Sequence, residues 1–138
     1  MTETSSYLGF TILYVPDVEA ATTFYEQTFG LRRRFVTDAQ EYGELNTGTT
    51  HLAFSQSEFA KGSTSVPFEA AQPDKSAPPV ELGIVTKDVA ALYQRAIQAG
   101  ATPVQEPEPK PWGQIVGYVR DLNGFLVEIC TEVQALAA

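Results

Sequence analysis

Glu128 sits in the middle of Phe125-Leu126-Val127-Glu128-Ile129-Cys130, a run that is otherwise apolar. A carboxylate in such a strand costs free energy unless something pairs with it. It therefore either meets a bound ligand or forms a salt bridge with Arg120 or with one of Arg32, Arg33 and Arg34. Glu81, in Val80-Glu81-Leu82-Gly83-Ile84-Val85, poses the same alternative in a second apolar run. Two carboxylates facing one cavity without a metal would repel, raising at least one pKa. A second patch with chemistry in it is Glu108-Pro109-Lys110-Pro111-Trp112-Gly113-Gln114. The prolines stiffen an extended loop, and the indole of Trp112, the sole tryptophan, offers a flat face for stacking and one N–H donor. Trp112 and Gln114 are candidate ligand-binding residues; the alternative for Trp112 is packing at a rim or a dimer interface.

His51 is the only histidine, and after Thr49-Thr50 at a strand start it also suits an exposed or capping role. Arg32-Arg33-Arg34 begins a strand in which alternation places Arg33 opposite its two neighbours. A solvated edge or a salt-bridging cluster is the simpler account, with recognition of an anionic substrate as the alternative. Cys130, the sole cysteine, excludes an internal disulfide and fits a reducing compartment. With nothing basic beside it to favour a thiolate, it reads as filler.

The elements that must position these residues come in two copies. Phe10 to Leu31 reads as an apolar strand, an Asp, an amphipathic helix and a Gly stop, and Val80 to Ala101 repeats that order. In the first copy Leu8 to Val15 is a strand, and Asp17 caps a helix with Val18, Ala21, Phe24, Tyr25 and Phe29 inward and Gly30 as its stop. Strands over Arg32–Thr37, Glu41–Asn46 and Thr50–Ser55 follow. In the second copy the strand is Val80–Thr86, the helix Asp88–Ala99 with Gly100 as stop, and the later strands Thr102–Gln105, Gln114–Val119 and Phe125–Thr131. The turn Asp121-Leu122-Asn123-Gly124 carries an Asn-Gly signal for positive φ. Residues 56–79 lose the apolar period and read as a linker with one short helical turn around Phe68 to Ala71. The tail from Gln134 to Ala138 reads as loose.

The expected fold class is α+β: two paired βαβββ modules, 8–55 and 80–131, forming a curved mixed sheet around a central groove in a single domain. A groove of that kind is where a small molecule binds. Strand alternation puts Phe10, Ile12 and Tyr14 on one face, and likewise His51, Ala53 and Ser55; Glu81, Gly83 and Val85; and Leu126, Glu128 and Cys130. The opposite faces are uniformly apolar and should lie under the helices.

The 138 residues carry a formal net charge of −8, which argues against nucleic acid or an anionic membrane as partner. No apolar run approaches the ~20 residues of a membrane span. The opening MTETSSY lacks the basic and apolar parts of a signal peptide, so the expected location is cytoplasmic.

Val15-Pro16-Asp17-Val18, Phe24-Tyr25, Phe29-Gly30-Leu31, Gly100-Ala101 and Arg120-Asp121-Leu122-Asn123-Gly124-Phe125-Leu126-Val127-Glu128 together resemble the vicinal oxygen chelate superfamily. That superfamily includes glyoxalase I, bleomycin-resistance proteins, fosfomycin-resistance enzymes and extradiol dioxygenases. Its motifs are specific for the fold and not for the reaction. The resemblance implies a homodimer, and it maps the family's four metal positions onto Phe10, His51, Glu81 and Glu128. Three of these, His51, Glu81 and Glu128, have side chains that suit Ni, Zn, Mn or Fe; Phe10 cannot coordinate. A single His also disfavours the two-His triad of a ring-cleaving iron enzyme. Pro-Trp-Gly loops in bleomycin-resistance-like members line the ligand pocket.

Two functions follow. The first is a small-molecule-binding protein of the glyoxalase/bleomycin-resistance-like kind, holding an organic ligand against Phe10, Tyr14, Trp112, Gln114 and Tyr118. The alternative is a divalent-metal-dependent lyase or isomerase of the glyoxalase I kind. There His51, Glu81 and Glu128 bind the ion, and Glu128 or Glu81 is the catalytic residue that shuttles a proton.

Overall fold

The computed structural model describes residues 4–133. Contacts divide the chain into two compact units, Met1–Ala70 and Ala71–Ala138. Together they hold two four-stranded mixed sheets and three helices, an α+β fold of two modules.

Unit 1 runs β1 (Phe10–Val15), α1 (Val18–Phe29), β2 (Arg32–Val36), β3 (Tyr42–Asn46), β4 (His51–Gln56) and α2 (Ser57–Ser63). The sheet order is β1-β4-β3-β2, with β1 and β4 parallel and the remaining pairs antiparallel. Asp17 starts α1 by accepting a 3.0 Å bond from the Ala20 backbone N–H. Gly30 ends it at φ 69°, a conformation that costs a side-chain-bearing residue more. The inward stripe of α1 packs on β2, β3 and β4, and Leu13, Val15, Leu45 and Phe54 are buried on the helix side of the sheet. Arg33 then ties β2 to the helix through Glu19 at 2.8 Å and Glu26 at 2.9 Å. Arg33 is thus salt-bridging, one of the two simple accounts of the arginine run.

The helical turn expected around Phe68 to Ala71 is not there. The helix forms at Ser57–Ser63 instead, directly after β4. It is seven residues long, contains Gly62, has no side-chain cap and buries only Ala60, so it leaves no apolar period in the sequence. Phe68 instead packs against Tyr14, with ring centroids 4.7 Å apart and planes inclined at 56°.

Unit 2 runs β5 (Glu81–Val85), α3 (Val89–Gln98), β6 (Thr102–Pro109), β7 (Ile115–Arg120) and β8 (Leu126–Cys130), in the order β5-β8-β7-β6. Again the first and last strands are parallel. Asp88 caps α3 by accepting from the Ala91 N–H at 3.1 Å. Val89, Tyr93 and Ala96 form the buried stripe of α3, and Val119, Val127 and Ile129 are buried in the sheet. Leu82 and Ile84 are only half-buried, and α3 packs on β6, β7 and β8.

Strand β6 runs to Pro109, past the expected end at Gln105. Prolines are tolerated there because β6 is the opposite edge, and the register slips between Pro103 and Gln105 and again before Glu108. In the turn after β7 only Gly124 takes positive φ, at 93°; Asn123 does not. Asp121 Oδ1 builds that turn by accepting from the N–H groups of Asn123 (2.9 Å) and Phe125 (3.0 Å). Among the described residues no helix is long and apolar enough to cross a membrane.

Candidate functional site

In unit 1 the open face of the sheet, opposite α1, carries Phe10, Ile12 and Tyr14 from β1 and His51, Ala53 and Ser55 from β4, register partners in that order. Phe10 and Ile12 are 51% and 43% exposed, large apolar side chains that nothing in unit 1 covers. His51 lies beside Phe10, with ring centroids 6.5 Å apart. Its Nδ1 is 3.1 Å from the Leu45 carbonyl. A carbonyl only accepts, so Nδ1 carries a proton in this bond.

In unit 2 the open face brings Glu128, Tyr118 and Cys130 together, with Glu81 near enough to act on them electrostatically. The Tyr118 hydroxyl donates to Glu128 Oε1 at 3.0 Å. Tyr118 is pushed up to about 12, first by burial, then by the hydrogen bond to Glu128 and the negative charge of Glu128 and Glu81. Cys130 is pushed up to about 11 by burial, then by its hydrogen bond to Glu128 and the same charges. It is a protonated donor, which agrees with the sequence assignment of an inert thiol. Glu128 is half-buried and, among the described residues, has no ion-pair partner. The salt bridge to Arg120 does not form. Arg120 is spent on four backbone carbonyls, those of Gly124, Pro73, Lys75 and Gln72.

Trp112 and Gln114 stand elsewhere in unit 2, at the tip of the β6–β7 hairpin. Lys110 N–H donates to the Gln114 carbonyl and Gly113 N–H to the Lys110 carbonyl, so the Pro-Trp-Gly segment is a tight turn rather than an extended loop. The Trp112 indole is 64% exposed, and its N–H donates to Gln114 Oε1 at 2.7 Å. Gln114 is buried and passes the link on by donating to the Thr131 carbonyl at 2.8 Å. That chain fixes one wall of an open cavity of about 620 Å³ lined by Val85, Thr86, Lys87, Gly113, Ile115, Thr131 and Glu132. The volume suits a small organic molecule.

A divalent metal is tested by the donor set. Among the described residues no three His, Cys, Asp or Glu side chains come together as a metal site. Unit 1 offers His51 beside a non-coordinating Phe10, and unit 2 offers two carboxylates. The residues within either unit do not make a complete set, and no chemical step is derived through a metal.

Sequence reasoning missed Glu44. It is 5% exposed on the open face of β3, opposite Ala53 of β4. Its two oxygens accept from Arg34 Nε at 3.0 Å and from the Tyr42 hydroxyl at 2.7 Å. Alternation in Tyr42-Gly43-Glu44-Leu45-Asn46 places Glu44 with Tyr42 and opposite Leu45, a signal available in the sequence.

No curated protein matches the chain. Solved structures do. A glyoxalase-related enzyme from Fulvimarina pelagi is 24% identical, with 97% of this chain and 94% of that chain covered at a TM-score of 0.77. TioX from Micromonospora sp. ML1 is also 24% identical, with 91% and 98% covered at 0.65. A glyoxalase/bleomycin resistance protein/dioxygenase family enzyme from Burkholderia phytofirmans PsJN is 21% identical, with 94% and 100% covered at 0.67. At these identities the likeness speaks for the fold and leaves the reaction open. The decisive match is a family model covering residues 7–129: the chain belongs to the Glyoxalase/Bleomycin resistance protein/Dioxygenase superfamily.

Proposed function

We propose that this chain is a small-molecule-binding protein of the glyoxalase/bleomycin-resistance-like kind. The observation that carries the reading is Glu128: a half-buried carboxylate in mid-strand, held by the Tyr118 hydroxyl and paired with no cation among the described residues. Neutral donors compensate a buried charge only in part, so Glu128 keeps accepting capacity for a donor or cationic group of an organic ligand. The ring of Tyr118, whose hydroxyl bonds Glu128, supplies a flat surface beside it for the ligand. The protein acts as a homodimer in the cytoplasm, with a molecular mass in solution twice that of the chain as the check.

The test is a titration of organic amines and planar heterocycles, followed by calorimetry and by the emission of the one indole. The cavity beside the hairpin is not lined by Glu128, and the indole tests whether the ligand also reaches it: if so, Trp112 emission shifts and Trp112→Ala weakens binding while the fold survives. An unchanged calorimetric affinity in that variant makes Trp112 structural.

A metal-dependent lyase or isomerase is the second reading, favoured by one observation: the Leu45 carbonyl engages His51 Nδ1, which orients the ring and leaves Nε2 as the nitrogen able to ligate. A ligand present at about 100 times its Kd stabilises the folded state by about 2.7 kcal/mol, easily seen as a melting shift. We expect no His51-dependent shift with Ni, Zn, Mn or Fe(II). A shift in the wild type that His51→Ala removes would decide for the metal and against the binding reading.

A further inference from the structure

Alternation places Arg34 opposite Arg33, but it does not place Phe35 on the same face as Arg34. The register of β2 on β3 shifts between Arg33 and Phe35. Arg33 pairs with Leu45 on the α1 side, whereas Phe35 pairs with Glu44 on the open face. Arg34 is the extra residue of this bulge, and its Nε donates to Glu44, so two consecutive side chains, Arg34 and Phe35, serve the same face. Bulges that re-aim a side chain in this way recur beside functional sites.

The two guanidinium groups differ in what they have left to give. Arg33 is used up by Glu19, Glu26 and Thr23. Arg34 spends only Nε, and its Nη1 and Nη2 have no protein partner among the described residues. The side chain of Arg34 is 53% exposed and that of Glu44 only 7%. An edge-strand ion pair made for stability has no need to bury its carboxylate so fully, since such a pair returns little against the desolvation it costs. The buried carboxylate, anchored on its other oxygen by Tyr42, is a fixed point that aims the guanidinium plane. The rings of Phe35 and Tyr42 lie beside it, centroids 6.0 Å apart and 46° inclined, with Phe35 partly open to solvent. An outward planar fork next to exposed aromatic surface matches a planar carboxylate attached to a flat ring.

We propose that Arg34, aimed by Glu44 and flanked by Phe35 and Tyr42, binds the carboxylate of a planar aromatic acid on the open face of unit 1. The site is independent of Glu128 and of the reading built on it. Naphthoate is the probe, with naphthamide as its uncharged match, both titrated by calorimetry into the full chain. Naphthoate should bind, and naphthamide should bind at least about 10-fold more weakly, the value of one charge-assisted contact. Arg34→Lys keeps the charge and removes the fork, and should lose at least about 10-fold in naphthoate affinity with an unchanged melting temperature. Glu44→Gln should weaken naphthoate as well, because the fork is no longer held. Glu58→Gln, an exposed residue of α2 that pairs only with Lys61, should leave it untouched. Failure of naphthoate to bind, equal binding of acid and amide, or full affinity in Arg34→Lys would each overturn the proposal.

Discussion

Glu128→Gln is expected to cut ligand affinity by about 10- to 150-fold, the equivalent of the ~1.5–3 kcal/mol carried by a hydrogen bond to a charged group. The same change should cost less than about 1 kcal/mol of stability. The asymmetry follows from the surroundings. Gln has the shape of Glu, and its oxygen still accepts from Tyr118, which donates at 3.0 Å in the wild type. Among the described residues no cation is paired with Glu128, so none is orphaned when the charge goes. A structural ion pair would give the reverse: a loss of ~3–5 kcal/mol with binding retained. Calorimetry and urea unfolding on the same preparation distinguish the two outcomes, and the second would reject the proposed role.

The thiol of Cys130 provides an internal check on that variant. Its value in the folded protein, pushed up to about 11, lies above its ordinary 9.0, first through burial and then through Glu128. The sign is that of a raised acid: the protonated thiol stabilises the fold below pH 9, and this contribution fades as pH climbs toward about 11. Taking away the neighbouring charge lowers the barrier to the thiolate. Native-state thiol labelling at mildly alkaline pH should therefore be faster in Glu128→Gln, whereas a disturbed fold would also expose other protected groups to hydrogen exchange.

Most of the framework was legible because it rests on periodicity and punctuation. Asp17 and Asp88 cap helices in the structure as they do on paper, and Leu13, Val15, Leu52 and Phe54 face inward as period two demands. What escaped was local and unperiodic. Helix α2 carries one buried residue and a glycine, so tertiary contact rather than pattern decides it. The bulge at Arg34 depends on the partner strand, and no property of β2 alone displays it. At the site, alternation found Glu128 and its face, but pairing cannot be read from one strand. Arg120, the natural candidate partner for Glu128, turned out to be committed to backbone carbonyls.

That commitment of Arg120 leads to the largest expected effect on stability. Its guanidinium donates to the carbonyls of Gly124 (2.8 Å), Gln72 (3.1 Å), Pro73 (3.2 Å) and Lys75 (2.5 Å), binding the segment before β5 to the β7–β8 turn. The turn leaves room for this only at Gly124. A Cβ there would lie 2.7 Å from the Gln72 carbonyl carbon and oxygen and 2.8 Å from Arg120 Nη2, and φ is +93°. Gly124→Ala therefore meets backbone strain and a clash together, and should cost about 2–4 kcal/mol. Arg120→Met keeps the aliphatic stem, loses the donors, and should cost about 1.5–3 kcal/mol. Both variants release the same segment, so the double variant should fall short of the sum by at least about 0.5 kcal/mol in urea unfolding. Limited proteolysis gives a second reading: each single variant should become cleavable near Lys75 while the helices keep their protection. Strict additivity, or a segment that stays protected in Arg120→Met, would mean that the clamp seen around Gly124 does not hold this part of the chain.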